Sequence, residues 1–147
     1  MRNIVTKSGV FAAAALAILA ITAPAHAQNS LMRADIPFSF LAGEQRLPAG
    51  SYWVALNGEF HTLDLRSLNS TTICRVRVHD SLATRKSSEA DRGRLSFRKY
   101  GEHLVLKGVF VPGSTEGHDL QTSRTEIELA RAAALPAGSE VTLDLHK

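Results

Sequence analysis

The chain reads as a mainly β protein: a single antiparallel β-sandwich or open barrel of about seven strands, with one C-terminal helix. Two observations predict the strands. Stretches of alternating apolar and polar residues recur from Met32 onward, and Gly-, Pro- and Asn-bearing segments punctuate them. A third predicts the helix. From Ser123 to Ala134 the pattern changes to a capping sequence followed by an alanine-rich run, and alanine is the best helix former and poor in strands.

In order, "MRADIPFSF" alternates over nine residues, with Met32, Ala34, Ile36, Phe38 and Phe40 on one side. Pro37 lacks a ladder donor and implies a sheet edge or a bulge. "YWVAL" follows, then Asn57-Gly58, the chemistry of a two-residue type I′ hairpin, and "FHTLDL" returns as its partner. Thr72, Cys74, Val76 and Val78 form the inward row of the next strand, opposite Ile73, Arg75, Arg77 and His79. The polar stretch from Asp80 to Arg94 predicts an exposed loop with a short helical turn. "LSFRKYGEHLVLKGVFV" predicts a hairpin turning near Gly101, and "STEGHD" reads as loop.

Ser123-Arg124-Thr125-Glu126 fits a capping box, in which hydroxyl and carboxylate each satisfy an orphan amide. The helix behind it covers about 123–134, with Ile127, Ala130, Ala133 and Ala134 as its apolar face and Arg124, Glu128 and Arg131 as a charged one. "EVTLDL" closes the fold, with Val141, Leu143 and Leu145 inward.

"LPAGS" occurs twice, at Leu47–Ser51 and Leu135–Ser139, each time ahead of an alternating segment. Proline fixes one dihedral and glycine relaxes another, so both copies predict a tight turn that opens a strand. Little else is shared between the two regions, which argues against a duplicated domain. A phosphate-cradling loop is excluded, because each copy has one glycine and no nearby Lys-Ser/Thr.

The N-terminus predicts export. Arg2 and Lys7 precede an apolar run from Gly9 to Ala23, Pro24 ends it, and Ala25 and Ala27 stand at the small-residue positions of a cleavage site. Residues 1–27 read as a signal peptide cut between Ala27 and Gln28, too short in its apolar part for a membrane span. Residues 28–147 then form a single β-rich domain, periplasmic or extracellular. Of 17 Lys+Arg and 14 Asp+Glu, the leader holds Arg2 and Lys7 and no acid, leaving 15 against 14. That balance gives no electrostatic case for nucleic acid. The lone cysteine, Cys74, excludes an intramolecular disulfide. It reads as a buried, inert thiol, with an intermolecular bridge as the alternative.

"IPFSF", Gly43, "LPAGSYWV", "LSFRKYGEHLVLKGVFVPG" and "DLQTSRTE" together resemble a family of small exported, signal-peptide-bearing bacterial β-rich proteins of unknown function. The family pattern is PFxF, Gly, LPAGxY, then FxRYG[DE]. The resemblance spans most of Ile36 to Glu128. Phe110 departs from it where Trp is common, and Gln121 where Pro is expected. It implies an exported β-rich module and carries over no catalytic residues.

The residues suggest no metal or cofactor site. His61, His79, His103, His118 and His146 have no zinc-type spacing, although adjacent strands can bring His61 and His79 together. The dipeptides His79-Asp80 and His118-Asp119 lack a nucleophile motif such as G-x-S-x-G. The basic residues are more suggestive. Arg75, Arg77, His79, Arg85, Lys86, Arg92, Arg94, Arg98 and Lys99 form a candidate cationic patch for an acidic glycan, a lipid headgroup or an envelope protein. The plainer reading is a solvated face with charges that discourage aggregation. Trp53 should point outward, to stack on sugar or be covered by the helix. The expected function is an exported, non-catalytic binding or envelope-associated module. The alternatives are a barrel-type carrier of a small apolar ligand and, remotely, a cryptic hydrolase.

Overall fold

The alternating rows become strands because each can bury one face on a shared core, and ten segments do so. The computed structural model describes residues 30–133 and 139–146. The signal-peptide segment, the end of the expected helix at Ala134 and most of the second "LPAGS" lie outside them. The strands are β1 (Ser30–Ile36), β2 (Phe40–Ala42), β3 (Gln45–Leu47), β4 (Gly50–Asn57), β5 (Thr62–Ser67), β6 (Ile73–Thr84), β7 (Gly93–Tyr100), β8 (His103–Phe110), β9 (Glu116–Leu120) and β10 (Glu140–Leu145). A 3-10 turn spans Ser87–Glu89, and the helix α1 is Arg124–Ala132.

The protein is mainly β with one helix near the C-terminus, and its strands exceed the seven expected. They form one sheet in the order β1-β4-β5-β6-β9-β8-β2-β3, with β7 on β8 and β10 on β7. Pairing is antiparallel except for β2 on β8. The sheet curls but remains open. Its β1 and β10 edges meet in a single bridge, where Arg33 and His146 exchange backbone hydrogen bonds of 2.7 and 2.8 Å.

The interior is filled by side chains. Met32, Ile36, Phe40, Tyr52, Leu63, Leu65, Leu95, Phe97 and Leu106 are almost wholly buried in one cluster. Phe97 takes Phe38 and Phe40 edge-on, and Phe40 takes Tyr52, with ring centroids 5.2–5.7 Å apart. Such geometry lets the positive ring edge meet the negative ring face.

Several elements differ from expectation. Of the two alternatives for Pro37, the sheet edge holds, since β1 stands at the end of the strand order, but there is no bulged continuous strand. Instead β1 ends just before Pro37, and the chain restarts at Phe40 as the short β2–β3 hairpin, whose Gly43 supplies the positive φ of its turn. Asn57-Gly58 is not a two-residue turn. Asn57 pairs with Thr62, so Gly58 to His61 form a four-residue loop, with the Phe60 amide donating to Asn57 Oδ1 and His61 taking the positive φ. The longer loop keeps Leu56 opposite Leu63 in the buried row, and burial of that row decides the register. The expected loop from Asp80 starts later, because β6 continues to Thr84 on β9. The "EGHDL" segment, expected as loop, is β9, lying between β6 and β8.

The first "LPAGS" does open a strand. The Tyr52 hydroxyl donates to the Pro48 carbonyl at 2.6 Å and ties the turn to β4.

The helix is also turned relative to expectation. Ser123 caps it by accepting from the Glu126 amide at 3.1 Å, but Glu126 does not complete the box. Its carboxylate is buried against the body, with the Tyr100 hydroxyl at 2.9 Å and Lys107 Nζ at 2.9 Å. Ile127, expected inside, is exposed. The second half of the cap comes from Glu44 in the β2–β3 turn. A bulge in β8 explains the rotation: Ser96 pairs with Gly108 and Phe97 with Leu106, so Lys107 is the extra residue, re-aimed toward the helix.

Candidate functional site

Outward-facing residues of β1, β4, β5 and β6 form cross-strand rows, because directly paired residues share a face. One row is Arg33, Trp53, Arg66 and Ile73. The next is Leu31, Ala55, Asp64 and Arg75, and a third carries Asn57, Thr62 and Arg77. Neighbouring strands are about 4.8 Å apart, so Trp53 stands between two arginines at roughly that spacing. Trp53 is 37% exposed and Ile73 and Leu31 each 56%. The helix does not cover Trp53, since its polar anchors are Glu44 in the β2–β3 turn, Tyr100 on β7 and Lys107 on β8. This face therefore presents an indole and aliphatic side chains interleaved with guanidinium groups.

The charges on it are held in different ways. Arg75 grips Asp64 through Nε and Nη2 at 2.6 and 2.7 Å, and this carboxylate keeps the guanidinium proton more firmly bound than usual. Arg33 lies 3.3 Å from Asp35, whose carboxyl is held below the usual range first by the Ser51 hydroxyl and then by Arg33. Arg66 and Arg77 form no ion pair among the described residues. Where β4 turns into β5, a depression of about 1040 Å³ collects exposed Phe60, His61, Arg77 and His79. His61 and His79 thus line one surface feature. Among the described residues no group of three or more His, Cys, Asp or Glu could hold a metal ion.

The expected cationic patch separates into parts, although His79 and Arg98 line one depression of about 360 Å³ together with Lys107 and Asp119. Arg75, Arg77 and His79 lie together along β6. Arg94 and Arg98 share their outer face but sit on β7, across β9 and β8, roughly 15 Å away by strand spacing. Asp119 stands in the row between, paired with His79 and held by the Ser81 hydroxyl at 2.7 Å. Arg94 is engaged by Glu89 at 3.5 Å and Asp144 at 3.9 Å. Lys99 is on the β7–β8 hairpin in the other side-chain phase, and Lys86 and Arg92 flank the 3-10 turn. Arg85 is a structural residue. Its guanidinium donates to the carbonyls of Ala90 (3.0 Å), Val111 (2.8 Å), Ser114 (2.9 Å) and Arg92, and lies 5.1 Å over the Phe110 ring. Burial lowers its proton affinity.

The two His-Asp dipeptides lie antiparallel, so each histidine faces the other's aspartate. His79 pairs with Asp119, and His118 Nδ1 is 3.3 Å from Asp80 Oδ1. Among the described residues no serine donates to a histidine. Cys74 is buried, with its thiol 3.7 Å from the Ala42 carbonyl.

Sequence reading missed Arg33 and Arg66, which are far apart in the chain and isolated among acids and hydroxyls. Only the register makes them neighbours of Trp53. The usable signal was the alternation itself, since Arg33, Trp53 and Arg66 are each in the outward phase of adjacent strands. No helix among the described residues is long and apolar enough to cross a membrane. No protein-family model, curated protein or solved structure matches the chain.

Proposed function

We propose that this protein is an exported, non-catalytic binding module of the small bacterial β-rich type it resembles, and that it holds an acidic glycan on the outer face of β1-β4-β5-β6. The observation that carries the reading is the Arg33–Trp53–Arg66 row. An exposed indole offers an apolar plane for a sugar ring, and a guanidinium on each side offers forked donors to carboxylate or sulfate. Arg77 and His79 extend the basic surface along β6 toward the Phe60 depression. The filled interior favours a surface ligand over an enclosed apolar one. The absence of a serine–histidine contact among the described residues gives a hydrolase no starting geometry.

Trp53 is the only tryptophan, so its fluorescence reports on this face directly. Titration with polygalacturonate or heparin fragments should shift its emission, while neutral dextran should not. Arg66→Glu should weaken binding about tenfold, as for loss of one charge-assisted contact of roughly 1.4 kcal/mol. Saturable binding to anionic vesicles but not to either acidic glycan would overturn the glycan assignment in favour of headgroups. Export is tested separately by the intact mass of the secreted protein, expected to begin at Gln28.

A further inference from the structure

The strand β6 changes partners halfway, and one of its edges is left open. On one side β5 pairs with Ile73 to Arg77. On the other, β9 pairs from Val78 onward, and its last contribution is the Gln121 amide donating to the Arg77 carbonyl at 3.2 Å. The chain then leaves at Thr122 for the helix. The Val78 amide points the opposite way, to the His61 carbonyl at 2.9 Å. Backbone groups alternate sides along a strand, so Ile73, Arg75 and Arg77 aim their amides away from β5, where β6 has no ladder partner before Val78 among the described residues. What lies there is a cleft of about 640 Å³ between this edge and the β2–β3 turn, within the volume range of ligand sites. Gly43 closes its inner side, with a Cβ at that position only 3.1 Å from Val76 Cγ1. Arg75, Arg77 and Arg124 border it. Glu44, the carboxylate on its wall, is already engaged by the Arg124 amide and the Thr125 hydroxyl.

Unpaired strand edges are templates for another strand, and natural proteins usually cover or blunt them. Here the edge is short and recessed. Of the arginines that border it, Arg75 is held by Asp64 and Arg124 by Glu128, which leaves Arg77 as the cation with no ion pair among the described residues. We infer that Ile73–Arg77 is a strand-addition site for an extended acidic peptide segment of a partner protein. The incoming strand continues β9's place beside β6 for about five residues. Its acidic side chains fall on the face of Arg75 and Arg77, and its alternate residues turn toward Val76 and Gly43, where only small apolar side chains fit. Backbone pairing supplies affinity and the alternate side chains supply selectivity. Its pairing uses backbone groups that the glycan face does not, and Arg77 borders both, so the N-methylated peptides, not the Arg77 variant, separate the two readings.

The probe is a blocked seven-residue peptide of alternating glutamate and valine, titrated into isotope-labelled protein. Amide exchange at Ile73, Arg75 and Arg77 should slow at least about tenfold on binding, as expected for newly paired ladder groups. Two further peptides, N-methylated at the glutamates or at the valines, should differ: one parity loses binding and the other keeps it, because only alternate amides face the edge. Arg77→Glu should weaken the unmethylated peptide about tenfold with circular dichroism unchanged. Equal binding of both methylated peptides would reduce the contact to charge attraction and overturn the assignment. So would unchanged exchange at the three amides. Protection that appears without peptide and grows with protein concentration would name a second copy of the chain as occupant and equally reject the acidic peptide.

Discussion

The Glu44 carboxylate, in the turn between β2 and β3, accepts from the Arg124 amide at 2.7 Å and from the Thr125 hydroxyl, so the helix is capped by a residue 80 positions earlier. A negative charge at a helix N-terminus also complements its dipole. The Thr125 hydroxyl first, then the Arg124 amide, holds the Glu44 carboxyl below its ordinary range. A depressed folded value means the contribution is fully present above the unfolded carboxylate pKa, about 4.3, and is lost as pH falls through the folded value. The Arg124 amide resonance should therefore move, and helical signal decline, below about pH 4. Glu44→Gln should remove that transition from the pH profile.

The pair Lys107–Glu126 joins helix to sheet with side-chain exposures of 17% and 5%. Removing one partner strands the other charge. Lys107→Met should cost about 3–5 kcal/mol in urea unfolding. The double variant Lys107→Met with Glu126→Leu should recover part of it, because an apolar pair carries no desolvation penalty while the Tyr100 hydroxyl loses its acceptor.

Gly108 is required for close approach. A Cβ there would lie 2.7 Å from Asp119 Oδ1 and 3.0 Å from the His118 carbonyl oxygen. Gly108→Ala should destabilise by about 1–3 kcal/mol, the usual range for overpacking. Gly58→Ala, with open space around the added methyl, should stay within about 0.5 kcal/mol. Thermal melts of the two variants compare them directly.

The four carbonyls served by Arg85 lie on two loops, and a planar fork of donors is what reaches them together. Arg85→Lys cannot reproduce that pattern. It should cost about 1.5–3 kcal/mol, as for lost hydrogen bonds to a charged group. Limited trypsin digestion should then cut sooner at Lys86 or Arg92.

Burial pushes the Cys74 thiol up, with Asp64 adding to the effect. For an acid with a raised folded value, the stabilising contribution is present below the unfolded pKa, about 8.5, and fades as pH rises through the folded one. In native protein at neutral pH, Cys74 should react with a thiol reagent about a thousandfold slower than in denaturant. A fast native reaction, or a reducible dimer on gels, would contradict the packing.

The buried rows were legible because period-two alternation survives in one sequence; Met32, Ala34 and Ile36, and Leu63 and Leu65, lie where it put them. Three things were not. The β9 segment "EGHDL" holds residue types that strands disfavour, and its Gly117 is there because the Phe110 ring lies over it, 2.7 Å from where a Cβ would stand. The helix orientation depended on a bulge at Lys107, which leaves no local signature. The candidate face depended on register, which aligns Arg33, Trp53 and Arg66 from three separate segments. Local chemistry carries none of these.

The bridge between Arg33 and His146 has a consequence for the order of assembly. In N-to-C synthesis β1 is made among the earliest strands, while the residue that covers its remaining edge is made among the last. Until that late segment arrives, one flank of β1 keeps open backbone donors and acceptors, a template for wrong pairing. A C-terminal truncation ahead of β10 should therefore leave a chain that self-associates.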